Sequence, residues 1–231
     1  MTQIRVYTAP EMDALLTSWT SHPDRVPASP NAADDEYAEA ALDTTGTRTT
    51  GATAWSWYRQ GTSTATISGL PGRRFLTLAP QIDGTVRGVL QSAPSGTWRF
   101  RTYISKLTSA SGYAGMFVYD SASNTGIQWA LASSNSVTGY YVWKVNTAGA
   151  WQSGADIVTS NVGQLGRHSG YLETEYDGTN LIFRFSNEGD DGTFEQVTSQ
   201  VATSVITHAP THVGLASGSA TFISRWWRRM A

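Results

Sequence analysis

The segment 170–185, GYLETEYDGTNLIFRF, fits a β-hairpin in one register and leaves little room for anything else. Leu172, Thr174 and Tyr176 alternate with Tyr171, Glu173 and Glu175, Asp177-Gly178-Thr179-Asn180 supplies turn residues, and Leu181, Phe183 and Phe185 alternate with Ile182 and Arg184 on the return. Pairing Tyr176 with Leu181 sets Glu173 opposite Arg184, so polar meets polar and apolar meets apolar. One dry face and one wetter face follow, and a dry face requires a second layer to cover it.

The remaining sequence extends that pattern. Short apolar-alternating runs recur at 55–60, 65–68, 74–78, 86–91, 97–104, 113–120, 126–132, 140–146, 194–200, 212–216 and 220–228, separated by turn residues such as Asp83-Gly84, Pro94-Ser95-Gly96 and Asn124-Thr125-Gly126. No internal repeat is evident, which argues against a propeller, and two stacked antiparallel sheets account for the number of strands. At 231 residues the chain can bury a sizeable core in one large β domain or two small ones.

Residues 1–33 have a different character. Thr8 and Glu11 have capping-box spacing around Pro10, and Met12, Leu15, Leu16 and Trp19 share one face of a short helix. Pro23, Pro27 and Pro30 then mark a semi-rigid extended linker. The expected division is therefore an attachment arm at 1–33 and a β-sandwich at 34–231. Either the arm docks its apolar stripe on a partner, or it packs as a strap on its own sandwich.

Composition removes several classes of function. Only 15% of residues are charged and the net charge is −2, so no basic stripe is available for nucleic acid beyond the short 225–229 cluster. The chain has no cysteine, which excludes disulfides, thiolate metal sites and a cysteine nucleophile. The opening MTQIRVYTAPEMD has neither the basic start nor the apolar run of a signal peptide, and no apolar stretch is long enough to cross a bilayer. Richness in Ser, Thr, Gly and Trp nevertheless suits an extracellular setting. A protein folded in a cytoplasm and carried out on a particle such as a virion reconciles the two.

The succession AWSWYRQGTSTATISG, FLTLAP, VRGVLQSAPSGTWRFRTYI, GYAGMFVYDSASNTGIQWAL, the 170–194 hairpin region and HVGLASGSATFISRWW resembles concanavalin A-like (laminin-G-like) jelly-roll domains, in the version found in structural proteins of tailed bacteriophages. The resemblance covers about residues 34–231 and implies an all-β, antiparallel two-sheet jelly roll. The fold by itself supplies no function; the expected one is a non-enzymatic virion structural protein, a homo-oligomer displayed on the virion surface with other capsid or tail proteins as partners. A glycan-binding adhesin directed at a host-surface glycan is the alternative on the same fold, and a glycoside hydrolase or lyase is the other.

Glu173 and Glu175 stand at i and i+2 on one strand face, a spacing available to a glycosidase pair, but the third acid expected along the strand is absent and Arg184 opposite Glu173 makes a cross-strand ion pair the simpler account. No catalytic residue is therefore assigned. His208 and His212 have zinc-like spacing but flank Pro210 in a loop with no third ligand, and the acidic run 187–191 lacks EF-hand spacing, so neither metal nor cofactor is expected. With Lys144 taken as the marker of the wet side, the candidate glycan patch is Gln128, Tyr140, Lys144, Tyr171, Glu173, Glu175 and Arg184. Adjacent Trp226 and Trp227 must face opposite ways. The expected assembly contact combines Trp227, Arg228 and Arg229 with Met12, Leu15, Leu16 and Trp19 of the arm.

Overall fold

The computed structural model describes residues 37, 54–69, 74–106, 112–134, 137–160 and 169–230. The arm at 1–33, with Met12, Leu15, Leu16 and Trp19, lies outside the described residues, as do His22 and His168.

The alternating runs fold as strands β1 (Ser56–Tyr58), β2 (Thr64–Ser68), β3 (Phe75–Ala79), β4 (Arg87–Ser92), β5 (Trp98–Lys106), β6 (Gly112–Asp120), β7 (Thr125–Ser134), β8 (Val137–Val145) and β9 (Trp151–Ser160). They continue as β10 (Ser169–Tyr176), β11 (Asn180–Ser186), β12 (Glu195–Val201), β13 (His212–Gly218) and β14 (Phe222–Met230), with a five-residue helix α1 (Ala202–Ile206) after β12. Two seven-stranded sheets result: a first sheet in the order β1-β4-β13-β6-β7-β8-β9 and a second in the order β12-β11-β10-β5-β14-β3-β2. The strand pairs are antiparallel throughout. The hairpin forms in the register read from its sequence, Tyr176 opposite Leu181 and Glu173 opposite Arg184. The Asp177 carboxylate closes its turn by accepting from the Thr179 and Asn180 amides at 2.8 and 2.6 Å.

The core lies between the sheets. Leu172, Leu181, Phe183 and Phe100 of the second sheet meet Met116, Trp129, Val142 and Leu215 of the first, all fully buried. Thr174 spans the gap, its hydroxyl donating to Met116 Sδ at 3.4 Å. Trp227 sits between Trp55 (5.7 Å, edge-on) and Phe100 (4.9 Å, stacked) and donates its indole N–H to Gln91 Oε1 at 3.1 Å, which satisfies the polar end of a fully buried ring.

A bulge decides which tryptophan of the pair enters that core. On β14, Ser224 opposes Ile104 while Trp227 opposes Thr102, so one extra residue is accommodated on β14. Trp227 is thereby turned inward and is 0% exposed, which corrects its expected place on an assembly surface. Trp226 takes the outer face, where Tyr171 and the Arg228 guanidinium, 4.3 Å above the indole, bury it as well. Arg228 is itself buried and Arg229 only half-exposed.

The first sheet is apolar on both faces. Its outer side carries a second cluster of Tyr58, Val86, Leu90, Phe117, Val145 and Ala216, flanked by Tyr119 and Trp151. Gly126 makes room for it, because a Cβ there would stand 2.3 Å from the Phe117 ring.

Candidate functional site

The seven residues expected to form one wet patch are divided among three places. Tyr171, Glu173, Glu175 and Arg184 do share the outer face of the second sheet, but as a neutralised network. Glu173 is 1% exposed; its Oε1 accepts from Arg184 at 2.6 Å and its Oε2 from Arg101 at 2.5 Å, with Arg99 3.8 Å away. Arg184 reaches Glu175 at 2.6 Å with the same nitrogen, and Arg101 continues to Asp191 at 2.5 Å. Hydrogen bonds to both carboxylates hold the Arg184 guanidinium above its ordinary range against the opposing effect of burial. A glycosidase acid must reach the glycosidic oxygen, whereas both oxygens of Glu173 are enclosed by guanidinium groups.

Tyr140 and Lys144 lie on the inner face of β8, with Val142, which corrects their assignment to a wet surface. Tyr140 packs on Phe185 (4.0 Å) and Trp129 (5.6 Å), and burial pushes its phenol well above the usual tyrosine range. Lys144 is at the edge of the core and carries its ammonium out to the Ser204 carbonyl of α1 at 2.9 Å. A lysine that reaches past its own strand end is a poor marker of the wet side. Gln128 is on the outer face of the first sheet but fully buried, donating to the Ala216 carbonyl at 3.1 Å and accepting from Trp151 Nε1 at 2.8 Å.

A better-formed recess occupies the end of the first sheet, where β1, β4 and β13 meet the β6–β7 turn. This cavity of 330 Å³ is lined by Tyr58, Arg59, Tyr119, Asn124 and His212 together with Ser56, Trp57 and Leu90. Two of its residues adopt left-handed backbone, Arg59 at φ +52° and Asn124 at φ +54°. Asparagine tolerates that region; arginine rarely enters it, and such strain persists only where surrounding contacts impose it. Here the contacts are visible. The Arg59 carbonyl accepts from Arg87, while its Nη2 and the Asn124 Nδ2 both donate to the Thr147 carbonyl, at 2.5 and 2.9 Å. Arg59 Nε donates to the Tyr58 hydroxyl at 3.2 Å, and the Tyr119 hydroxyl donates to Asn124 Oδ1 at 2.8 Å.

The aromatic wall is equally fixed. The Tyr58 and Tyr119 rings lie 4.9 Å apart, and His212 packs 5.8 Å from Tyr119. Burial raises both phenols, partly offset by the positive charge of Arg59, so they remain protonated donors at neutral pH. Burial lowers the His212 pKa, so its ring is neutral at pH 7. The Thr211 hydroxyl, 3.1 Å from the Tyr119 carbonyl, also lies 2.9 Å from His212 Nδ1 and fixes the orientation of the imidazole ring. The cavity thus combines aromatic surface, a guanidinium, a carboxamide and a neutral imidazole.

Of these residues only His212 drew notice in the sequence, as a zinc ligand to be set aside. His208 is elsewhere, its Nδ1 donating to the Asp120 carboxylate at 2.8 Å. Among the described residues no group of three or more His, Asp or Glu side chains is placed to hold a metal ion.

No family model and no curated protein matches the sequence. Solved structures do share the fold. The GH43 BlXynB protein from Bacillus licheniformis aligns over 90% of this chain with a TM-score of 0.64 at 16% identity, and the xylan β-1,4-xylosidase from Bacillus halodurans C-125 over 90% with a TM-score of 0.61 at 13% identity. The chain spans only 42% and 40% of those two proteins. The exoplasmic/lumenal domain of VIP36 in its metal-free form aligns with a TM-score of 0.51 at 9% identity, covering 87% of this chain and 92% of that domain. These neighbours overturn the expectation of a phage virion structural protein: structures that align over about nine-tenths of the chain include GH43 proteins and a xylosidase, and the capsid or tail partners drawn from the phage resemblance lose their support. The short matches behind that resemblance reflect sandwich patterning, which many functions share.

Proposed function

We propose that this chain is a carbohydrate-binding β-sandwich of the jelly-roll, concanavalin A-like type, acting without catalysis, and that the cavity beside Tyr119 is its binding site. The observation that carries this reading is the cavity itself, a preformed recess whose aromatic wall and convergent Arg59, Asn124 and His212 groups are held by a dense hydrogen-bond network. Sugars are recognised by that combination, with rings packing on C–H faces and fixed polar groups meeting hydroxyls. The shared fold with xylan-acting enzymes supports a polysaccharide as ligand. Absence of catalysis is supported by Glu173 and Glu175, the paired carboxylates of the sequence, being engaged by arginines of their own sheet, away from the cavity.

Affinity electrophoresis and calorimetry against xylans, pectins and glucans test the proposal. Retention by at least one polysaccharide is expected, weakened about tenfold or more in Tyr119→Ala, which removes a central aromatic wall. No release of reducing ends should accompany it. Retention that is unchanged in Tyr119→Ala would place binding elsewhere and refute the assignment of the site.

A further inference from the structure

We infer that the ligand is an acidic sugar, a uronate whose carboxylate meets Arg59; this rests on the cavity being the glycan site. The lining of the cavity contains one full positive charge and no carboxylate. His212 adds no charge at pH 7 because burial keeps its imidazole neutral. Nearby acids are engaged elsewhere: Asp83 pairs with Arg87 at 2.5 Å, and Asp120 accepts from Ser123 and the Ala122 amide and contacts His208.

The Arg59 fork is also committed on one side only. Its Nε goes to Tyr58 and its Nη2 to the Thr147 carbonyl, and none of the described residues accepts from Nη1. The neutral Tyr58 hydroxyl and a carbonyl orient the guanidinium without cancelling its charge. An incoming carboxylate gains a charge-assisted hydrogen bond there, whereas a neutral sugar leaves the cation without a counter-charge. The other groups suit a pyranose ring: Asn124 Nδ2 has a second N–H, the neutral His212 imidazole can exchange a hydrogen bond with a hydroxyl, and the Tyr119 ring supplies an apolar wall.

The decisive comparison keeps the sugar constant and removes its charge. Tetragalacturonate and a glucuronic-acid-bearing xylotetraose, each as free acid and as methyl ester, would be titrated calorimetrically into the full chain at low and at 0.5 M salt, alongside xylohexaose and sodium acetate. The expected result is that one of the two acids binds about tenfold or more tightly than its own ester at low salt, with the gap narrowing at high salt. Arg59→Gln should collapse the gap to about twofold or less. Asn124→Asp, which leaves the Arg59 side chain itself unaltered, adds a negative charge to the cavity and should abolish the preference by repulsion; the thermal midpoint of each variant confirms folding.

Equal binding of acid and ester overturns the inference, as does a preference that survives both substitutions. Binding of xylohexaose without any preference for acids overturns it and leaves the carbohydrate-binding reading standing. Failure of every sugar to bind removes both. Acetate competing as well as the uronates at equal concentration also overturns it, since the recess would then be a bare anion site.

Discussion

Glu173→Gln separates architecture from catalysis at the most conspicuous acidic residue of the chain. The Glu173 side chain is 1% exposed and is bonded to Arg184 at 2.6 Å and Arg101 at 2.5 Å, and Arg101 is itself 6% exposed. Removing one partner of a buried pair costs about 3–5 kcal/mol because the other charge is left uncompensated. Two features place this case at the lower end. Glutamine keeps one acceptor oxygen, and the arginines retain second partners, Asp191 for Arg101 and Glu175 for Arg184. A loss of about 3 kcal/mol at roughly 2–4 °C per kcal/mol for a chain of this size gives a fall of about 6–12 °C in thermal midpoint. Differential scanning calorimetry measures it, and the double variant Glu173→Gln/Arg101→Met should show coupling above about 1 kcal/mol. A carboxylate kept for chemistry would behave oppositely, since active-site residues are commonly held at some expense of stability. A midpoint that stays within a degree of the parent, or rises, refutes the account of this face as a structural ion network.

Two further outcomes test the packing and the loops. Gly126→Ala places a methyl group 2.3 Å from the fully buried Phe117 ring and should destabilise the protein by about 1–3 kcal/mol in urea unfolding, with no change if the outer cluster of the first sheet is looser than described. Asp120 is pushed up by burial but more strongly down by hydrogen bonds from Ser123, His208 and the Ala122 amide, so its folded pKa lies below the ordinary value of 3.8. The group therefore contributes stability that is fully present above the unfolded pKa and is lost as pH falls through the folded one. Urea midpoints of the parent should drop below about pH 4, while Asp120→Asn should be lower at neutral pH and flatter across the acid range; parallel curves for the two proteins would contradict this role.

Much of the architecture was legible because local and cross-strand signals agreed. The 170–185 hairpin formed in its expected register since turn chemistry and alternation pointed the same way and Glu173 had a cation to face. The orientation of β8 was misread for the opposite reason. Both faces of the first sheet are apolar, so Tyr140, Val142 and Lys144 against Tyr141, Trp143 and Val145 carry an alternation without a sign. Lys144 supplied the wrong sign because its partner, the Ser204 carbonyl, belongs to α1, a helix too short to leave a periodic trace. β9 escaped notice at the sheet edge, where Gly154 and a mixed polar sequence blur any period of two.

The cavity residues were invisible for a reason of geometry rather than composition. A charged residue in mid-strand, such as Glu173, faces cross-strand neighbours at fixed spacing, and a sheet that supplies Arg101 and Arg184 in register will neutralise it. Arg59 and Asn124 lie instead at strand ends, in left-handed conformations that remove them from any register, and they meet through the Thr147 carbonyl of a third loop. No local spacing encodes such a meeting. Polar groups within the sheet faces are thus consumed by folding, whereas those on turns beyond the last ladder bond keep hydrogen-bonding capacity for a ligand, as Arg59 Nη1 does. The same division explains why the two glutamates most suggestive of chemistry in the sequence are held in ion pairs, and why the cavity arginine has no signature there, its surroundings being assembled from three distant turns.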